Sequence, residues 1–182
     1  LNDSTTDYAA TPLTIAIDGV SADLTAGLNI QSVSVVGLAI DISGFVSLGG
    51  DFGFRITGAD IEVAATDVSA QLGAGDFSVG VEDGSLAMLL AADNSIALSA
   101  TGSFVFEGGD FANASATLVT VSLNDTTTDY AATPLTISID GVSADLNAGL
   151  AAESVSVVGL AIDISGFVSL GGNFGFRITG AD

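Results

Sequence analysis

The chain has no cysteine, no histidine, no lysine and no tryptophan among its 182 residues. Each absence removes a class of chemistry. Without cysteine there is no disulfide and nothing that depends on redox state. Without histidine or cysteine, Ser-His-Asp and Cys-His catalysis and zinc sites of the usual ligand kind are gone. Without lysine there is no Schiff base and no P-loop phosphate cradle. No apolar run approaches the roughly 20 residues of a membrane-spanning helix, so no membrane span is expected. Positive charge is almost missing too. Arg55 and Arg177 are the only cations against 22 acids, for a net charge of −20. Such a chain repels nucleic acid and anionic lipid.

What is present is apolar and small. Hydrophobic residues make up 48% of the chain, which sets it apart from charged disordered sequences. They are mostly Ala, Val, Ile and Leu, with 23 glycines between them. Small and β-branched side chains suit closely packed sheets.

The dominant feature is a long repeat. Residues 1–60 recur as residues 123–182, a period of 122 residues, with seven differences: Ser4/Thr126, Ala16/Ser138, Thr25/Asn147, Asn29/Ala151, Ile30/Ala152, Gln31/Glu153 and Asp51/Asn173. Residues 1–122 therefore form one full repeat and 123–182 the first half of the next. An older duplication shows inside the period, where Val20–Gly27 matches Val68–Gly75. It suggests half-repeats near 20–67 and 68–122. The chain starts without Met and stops inside a repeat, so it is expected to be a stretch of a longer tandem array. Near-identical repeats serve reach, scaffolding or display more readily than chemistry.

Apolar residues alternate with a period of two. Asp18-Gly19 and Asp140-Gly141 have the composition of two-residue primed turns. With turns there, Ile17 faces Val20, Ile15 faces Ala22 and Leu13 faces Leu24, and the second copy pairs likewise. The same test predicts hairpins at Thr66-Asp67 and Asp83-Gly84, pairing Ala65 with Val68 and Val81 with Leu86. Leu38 to Ile56 reads as one long strand bent at Gly44 and Gly50. The sum is an all-β fold with no helix: antiparallel, meander- and hairpin-rich, sandwich-like tandem repeats stacked into an elongated array. Roughly ten strands per period are expected, with the apolar faces forming the core.

Paired carboxylates remain as possible catalysts, but most aspartates sit beside glycine or in turns, where they bond the local backbone. The chain is therefore expected not to be an enzyme. Calcium, which takes several oxygen ligands, is the candidate ion. Its candidate ligands are Asp3, Asp7, Asp125 and Asp129, in two Thr-rich loops. Arg55 and Arg177 are expected to pair with an Asp of the same or the next repeat, and are candidates for pairing with acids across the junction between repeats.

Val33-Ser34-Val35-Val36-Gly37-Leu38-Ala39-Ile40-Asp41-Ile42-Ser43-Gly44, then Gly50-Asp51-Phe52-Gly53-Phe54, resembles the tandem β-repeats of giant bacterial surface and extracellular proteins. Ser95 to Glu107 repeats the theme. The resemblance implies secretion, attachment at a bacterial cell surface or matrix building, with self-association along a fibre and no catalytic residues. The function expected is a structural repeat of an extracellular filament, sheath or adhesin shaft. The alternative is an adhesin repeat that binds carbohydrate or ice through Phe45 and Phe167.

Overall fold

The computed structural model describes Asn2, residues 4–28 and residues 30–178, with Ile30 in its backbone only. All of its regular structure is strand. A short hairpin, β1 (Leu13–Ile17) and β2 (Val20–Leu24), comes first. Six long strands follow: β3 (Ile30–Ile42), β4 (Val46–Thr57), β5 (Asp60–Ala74), β6 (Phe77–Leu90), β7 (Ile96–Gly108) and β8 (Ala112–Asn124). A second hairpin, β9 (Leu135–Ile139) and β10 (Val142–Leu146), repeats the first, and β11 (Ala152–Ile164) and β12 (Val168–Arg177) repeat β3 and β4. The long strands form one eight-stranded antiparallel sheet in the order β12-β11-β8-β7-β6-β5-β4-β3. The second hairpin thus leaves the sheet after β8, and the chain re-enters beside β8 as β11.

The two Asp-Gly hairpins pair as the alternation predicts: Leu13 with Leu24, Ile15 with Ala22, Ile17 with Val20, and Ile139 with Val142. Asp18 and Asp140 hold φ of 48°, the left-handed conformation that a primed turn demands. The other two predicted hairpins are not turns. Thr66-Asp67 lies inside β5 and Asp83-Gly84 inside β6. Each marks a β-bulge, where two residues on one strand oppose one on the next. Asp67 and Asp83 have φ of 52° and 51°. A bulge inserts one residue, so the side chains change parity across it. A two-residue turn produces the same switch in the apolar pattern, hence the confusion.

The long strand expected from Leu38 to Ile56 is two strands. Ser43-Gly44 is the β3–β4 turn, closed by the Phe45 amide donating to the Ile42 carbonyl at 2.8 Å. Gly50, with φ of 135°, sits opposite the β5 bulge, where an added Cβ would stand 3.0 Å from the Val68 Cα. Further bulges fall in β3 next to Gly37 and in β11 next to Gly159. Among the described residues, eight strands begin within 1–122, where about ten were expected.

The bulges keep one face apolar along the whole sheet. At one level Val35, Phe52, Ala65, Leu86, Ala100, Val121, Val155 and Phe176 run across all eight strands. Beyond the bulges Ile42, Val46, Leu72, Val79, Phe106, Ala114, Ile162 and Leu170 do the same. Expectation placed the core on this face; Val63, Ala65 and Ala116 are buried here, but the main buried cluster lies on the other side. Phe54, Leu72, Val79 and Val81 are exposed there. Val46, Leu48, Leu72, Val79 and Phe104 line an open trough of about 390 Å³.

Candidate functional site: the hairpin seat between repeats

The main buried cluster lies on the opposite face. Its floor is a row of very small side chains: Gly53, Ala64, Ala87, Ser99, Ser122 and Ser154. The next row contributes Arg55, Glu62, Leu89, Ala97 and Asn124. The β9–β10 hairpin lies on this floor. Ile137, Ile139, Val142, Ala144 and Leu146 form one cluster with Ala64, Ala87, Ala97, Tyr130 and Ala148. Fully burying each large aliphatic side chain contributes about 1.5–3 kcal/mol.

Small residues are required because the hairpin sits so close. A Cβ on Gly53 would stand 2.9 Å from the Ile139 Cβ. Ala64 and Ala97 are fully buried. Larger side chains in those positions would lift the hairpin off the sheet.

Polar groups hold the rim. The Arg55 guanidinium bonds Glu62 on the neighbouring strand, and its Nη1 donates to the Ser138 carbonyl at 2.9 Å. The Ser32 hydroxyl donates to Asp140 Oδ2 at 2.9 Å. The Asn147 amide donates to Ser99 Oγ at 2.9 Å. Arg55 was expected to pair with an Asp of its own or the next repeat, with the repeat junction as a candidate place. It does span the junction, but to a backbone carbonyl, and its acid partner Glu62 belongs to its own repeat.

Buried Asn124 organises the loop that delivers the hairpin. Its Nδ2 donates to the Thr128 carbonyl at 2.8 Å and the Ala148 carbonyl at 3.0 Å. Its Oδ1 accepts from the Thr126 amide at 3.0 Å and hydroxyl at 2.7 Å. The loop therefore closes on the segment after β10. Asn2 makes the same four contacts in the first copy, with Thr6, Ala26 and Ser4.

The candidate metal ligands have these local roles. Asp7 Oδ1 accepts from the Ala9 and Ala10 amides, and Asp129 Oδ1 accepts from those of Ala131 and Ala132. Asp125 Oδ1 accepts from the Ile96 amide. Asp3 lies outside the described residues. Among the described residues no group of three or more acids converges as an ion cage would need. No helix of the described residues is long and apolar enough to cross a membrane.

The pattern of small residues was readable one strand at a time as a polar or neutral face. Its meaning as a seat needs the register between β4, β5, β6 and β7, which the bulges set. No family model, curated protein or solved structure matches the chain.

Proposed function

We propose that the chain is a non-enzymatic structural repeat of an extracellular bacterial filament, sheath or adhesin shaft, in which sandwich-like units stack into an elongated array. One observation carries this reading. The second copy of the repeat places Ile137, Ile139, Val142 and Leu146 on the Gly53, Ala64, Ala87 and Ala97 face of the first copy. A contact between successive periods is the element an array needs. The sheet supports it as well, because β11 of the second copy extends the ladder of β8 without a break.

Charge and composition favour an extracellular setting. A net charge of −20 keeps long assemblies soluble. A cysteine-free chain folds alike under oxidising and reducing conditions. The acids act as turn caps and as partners of Arg55, so the reading requires neither catalysis nor a metal. The partner is another copy of the repeat.

Electron microscopy of the native assembled material tests this. Unbranched rods of constant width are expected. Discrete round particles would refute the shaft. The second reading, a repeat that binds carbohydrate or ice, draws on one observation. Phe45 and Phe167 occupy the same turn 122 residues apart and are both exposed, Phe167 at 89%. Depletion of the protein onto insoluble polysaccharide or ice, abolished by Phe45→Ser with Phe167→Ser, would favour it.

A further inference from the structure

The two hairpins share a sequence and differ in their surroundings. In β9–β10, Ile137, Ile139 and Val142 are 1–2% exposed. In β1–β2 the same side chains, Ile15, Ile17 and Val20, are 48%, 68% and 74% exposed. A two-stranded hairpin with no packing layer is at best marginally stable in water. Nothing in the first hairpin accounts for the contrast, since every residue that β9–β10 buries is repeated in β1–β2.

We infer that β1–β2 is a donor hairpin whose acceptor is the Gly53–Ala64–Ala87–Ala97 face of another copy of the repeat. The inference rests on the array reading for its setting and specifies how copies join. The chemistry of recognition is already drawn by β9–β10. Two of the seven differences between the copies fall in or next to the hairpin, Ala16/Ser138 and Thr25/Asn147. At both positions the seated hairpin is held through backbone atoms: the Ser138 carbonyl accepts from Arg55, and the Asn147 amide donates to Ser99. Ala16 and Thr25 supply the same atoms. Asp18 stands where Asp140 meets Ser32. No contact of the seated hairpin is lost in the donor.

The acceptor side shows the complementary asymmetry. Gly53 is pressed against Ile139, whereas an added Cβ at Gly175, its equivalent in the second copy, meets nothing within 4 Å. The seat formed by residues 53–97 is occupied by β9–β10, so β1–β2 takes the seat of a different copy of the repeat. The small floor specifies the donor, because only a hairpin with alternating Ile, Val, Ala and Leu on one face fills it.

The test uses full-length chains. Ile137→Asp with Leu146→Asp frees the seat in an acceptor chain, Ile15→Asp with Leu24→Asp in the same chain removes its own donor so that it cannot join itself, and circular dichroism confirms that its strands persist. Mixed with wild type, this acceptor should form a 1:1 complex in sedimentation velocity, and a donor carrying Ile15→Asp with Leu24→Asp should form none. A folded acceptor that stays monomeric beside wild type overturns the inference. A second arm avoids vacating the seat. Residues 1–122 are joined ahead of the intact chain, so that a finished seat precedes Leu1. Nitration of the tyrosine equivalent to Tyr8 should then slow about tenfold, towards the rate of buried Tyr130. An unchanged rate overturns the inference as well. Docking without rods in the microscope would keep this inference and remove the shaft. Rods with the Tyr8 equivalent still reactive would do the reverse.

Discussion

Gly53 and Gly175 are the same residue of the repeat in two environments, which makes them a controlled comparison. Gly53→Ala pushes a methyl group against Ile139 and should cost about 1–3 kcal/mol of unfolding free energy in urea. Gly175→Ala has open space and should change stability by less than about 0.5 kcal/mol. Equal effects would mean that the hairpin does not press on Gly53. Asn124 and Asn2 form a second such pair. Asn124→Ala strips four bonds from a side chain that is 1% exposed and should cost about 2 kcal/mol. Asn2→Ala removes the same bonds beside the unseated hairpin, so the main unfolding transition should not move. The Asp93 carboxyl is perturbed. The Ser95 hydroxyl and amide both donate to Asp93 Oδ1, at 2.6 and 2.9 Å, and hold its pKa below the usual 3.8. The folded state therefore favours the ionised form. That contribution is present above pH 3.8 and fades as pH falls through the lowered folded value. Ser95→Ala should raise the Asp93 midpoint in an NMR titration, and an unmoved midpoint would remove the hydroxyl as its cause.

At the scale of the element, the bulges decide most of the fold. Asp67 holds a left-handed backbone inside β5, at an exposed position. A β-branched residue there meets the full steric penalty, so Asp67→Val should destabilise by about 1–2 kcal/mol. Asp67→Gly should be nearly neutral, since relief of strain is offset by a more flexible unfolded chain. Urea midpoints of the two variants check this, and two equal midpoints would contradict the bulge. The same residue shows how far the sequence could be read. Alternation and Asp-Gly turns were enough for β1–β2 and β9–β10, because each is a local hairpin with its register set by its turn. Thr66-Asp67 and Asp83-Gly84 share the left-handed residue and the parity switch with such turns, yet lie within strands. Local pattern does not separate the two. Length does, since joining the segments either side of Asp67 gives a strand that matches β4 along most of its length. The seat was less legible still. Ala64, Ala87 and Ala97 are ordinary residues on their own strands and become a floor only once β5, β6 and β7 are in register.

At the scale of the molecule, the sheet passes from the first copy of the repeat into the second, and the β9–β10 hairpin of the second rests on the sheet of the first; the proposed array repeats this step at every period. On this account length is additive. Each further period adds the same strands, the same seat and the same hairpin, and a charge of −14 that favours separation over collapse. Compact proteins grow slowly, with a radius of gyration rising as about the 0.38 power of chain length. An array of seated units grows in proportion to the number of periods. Small-angle X-ray scattering from chains of one, two, three and four periods measures this directly. The account predicts a maximum dimension that rises by a constant increment per period at constant cross-section. A dimension that levels off along the compact-protein curve would contradict it.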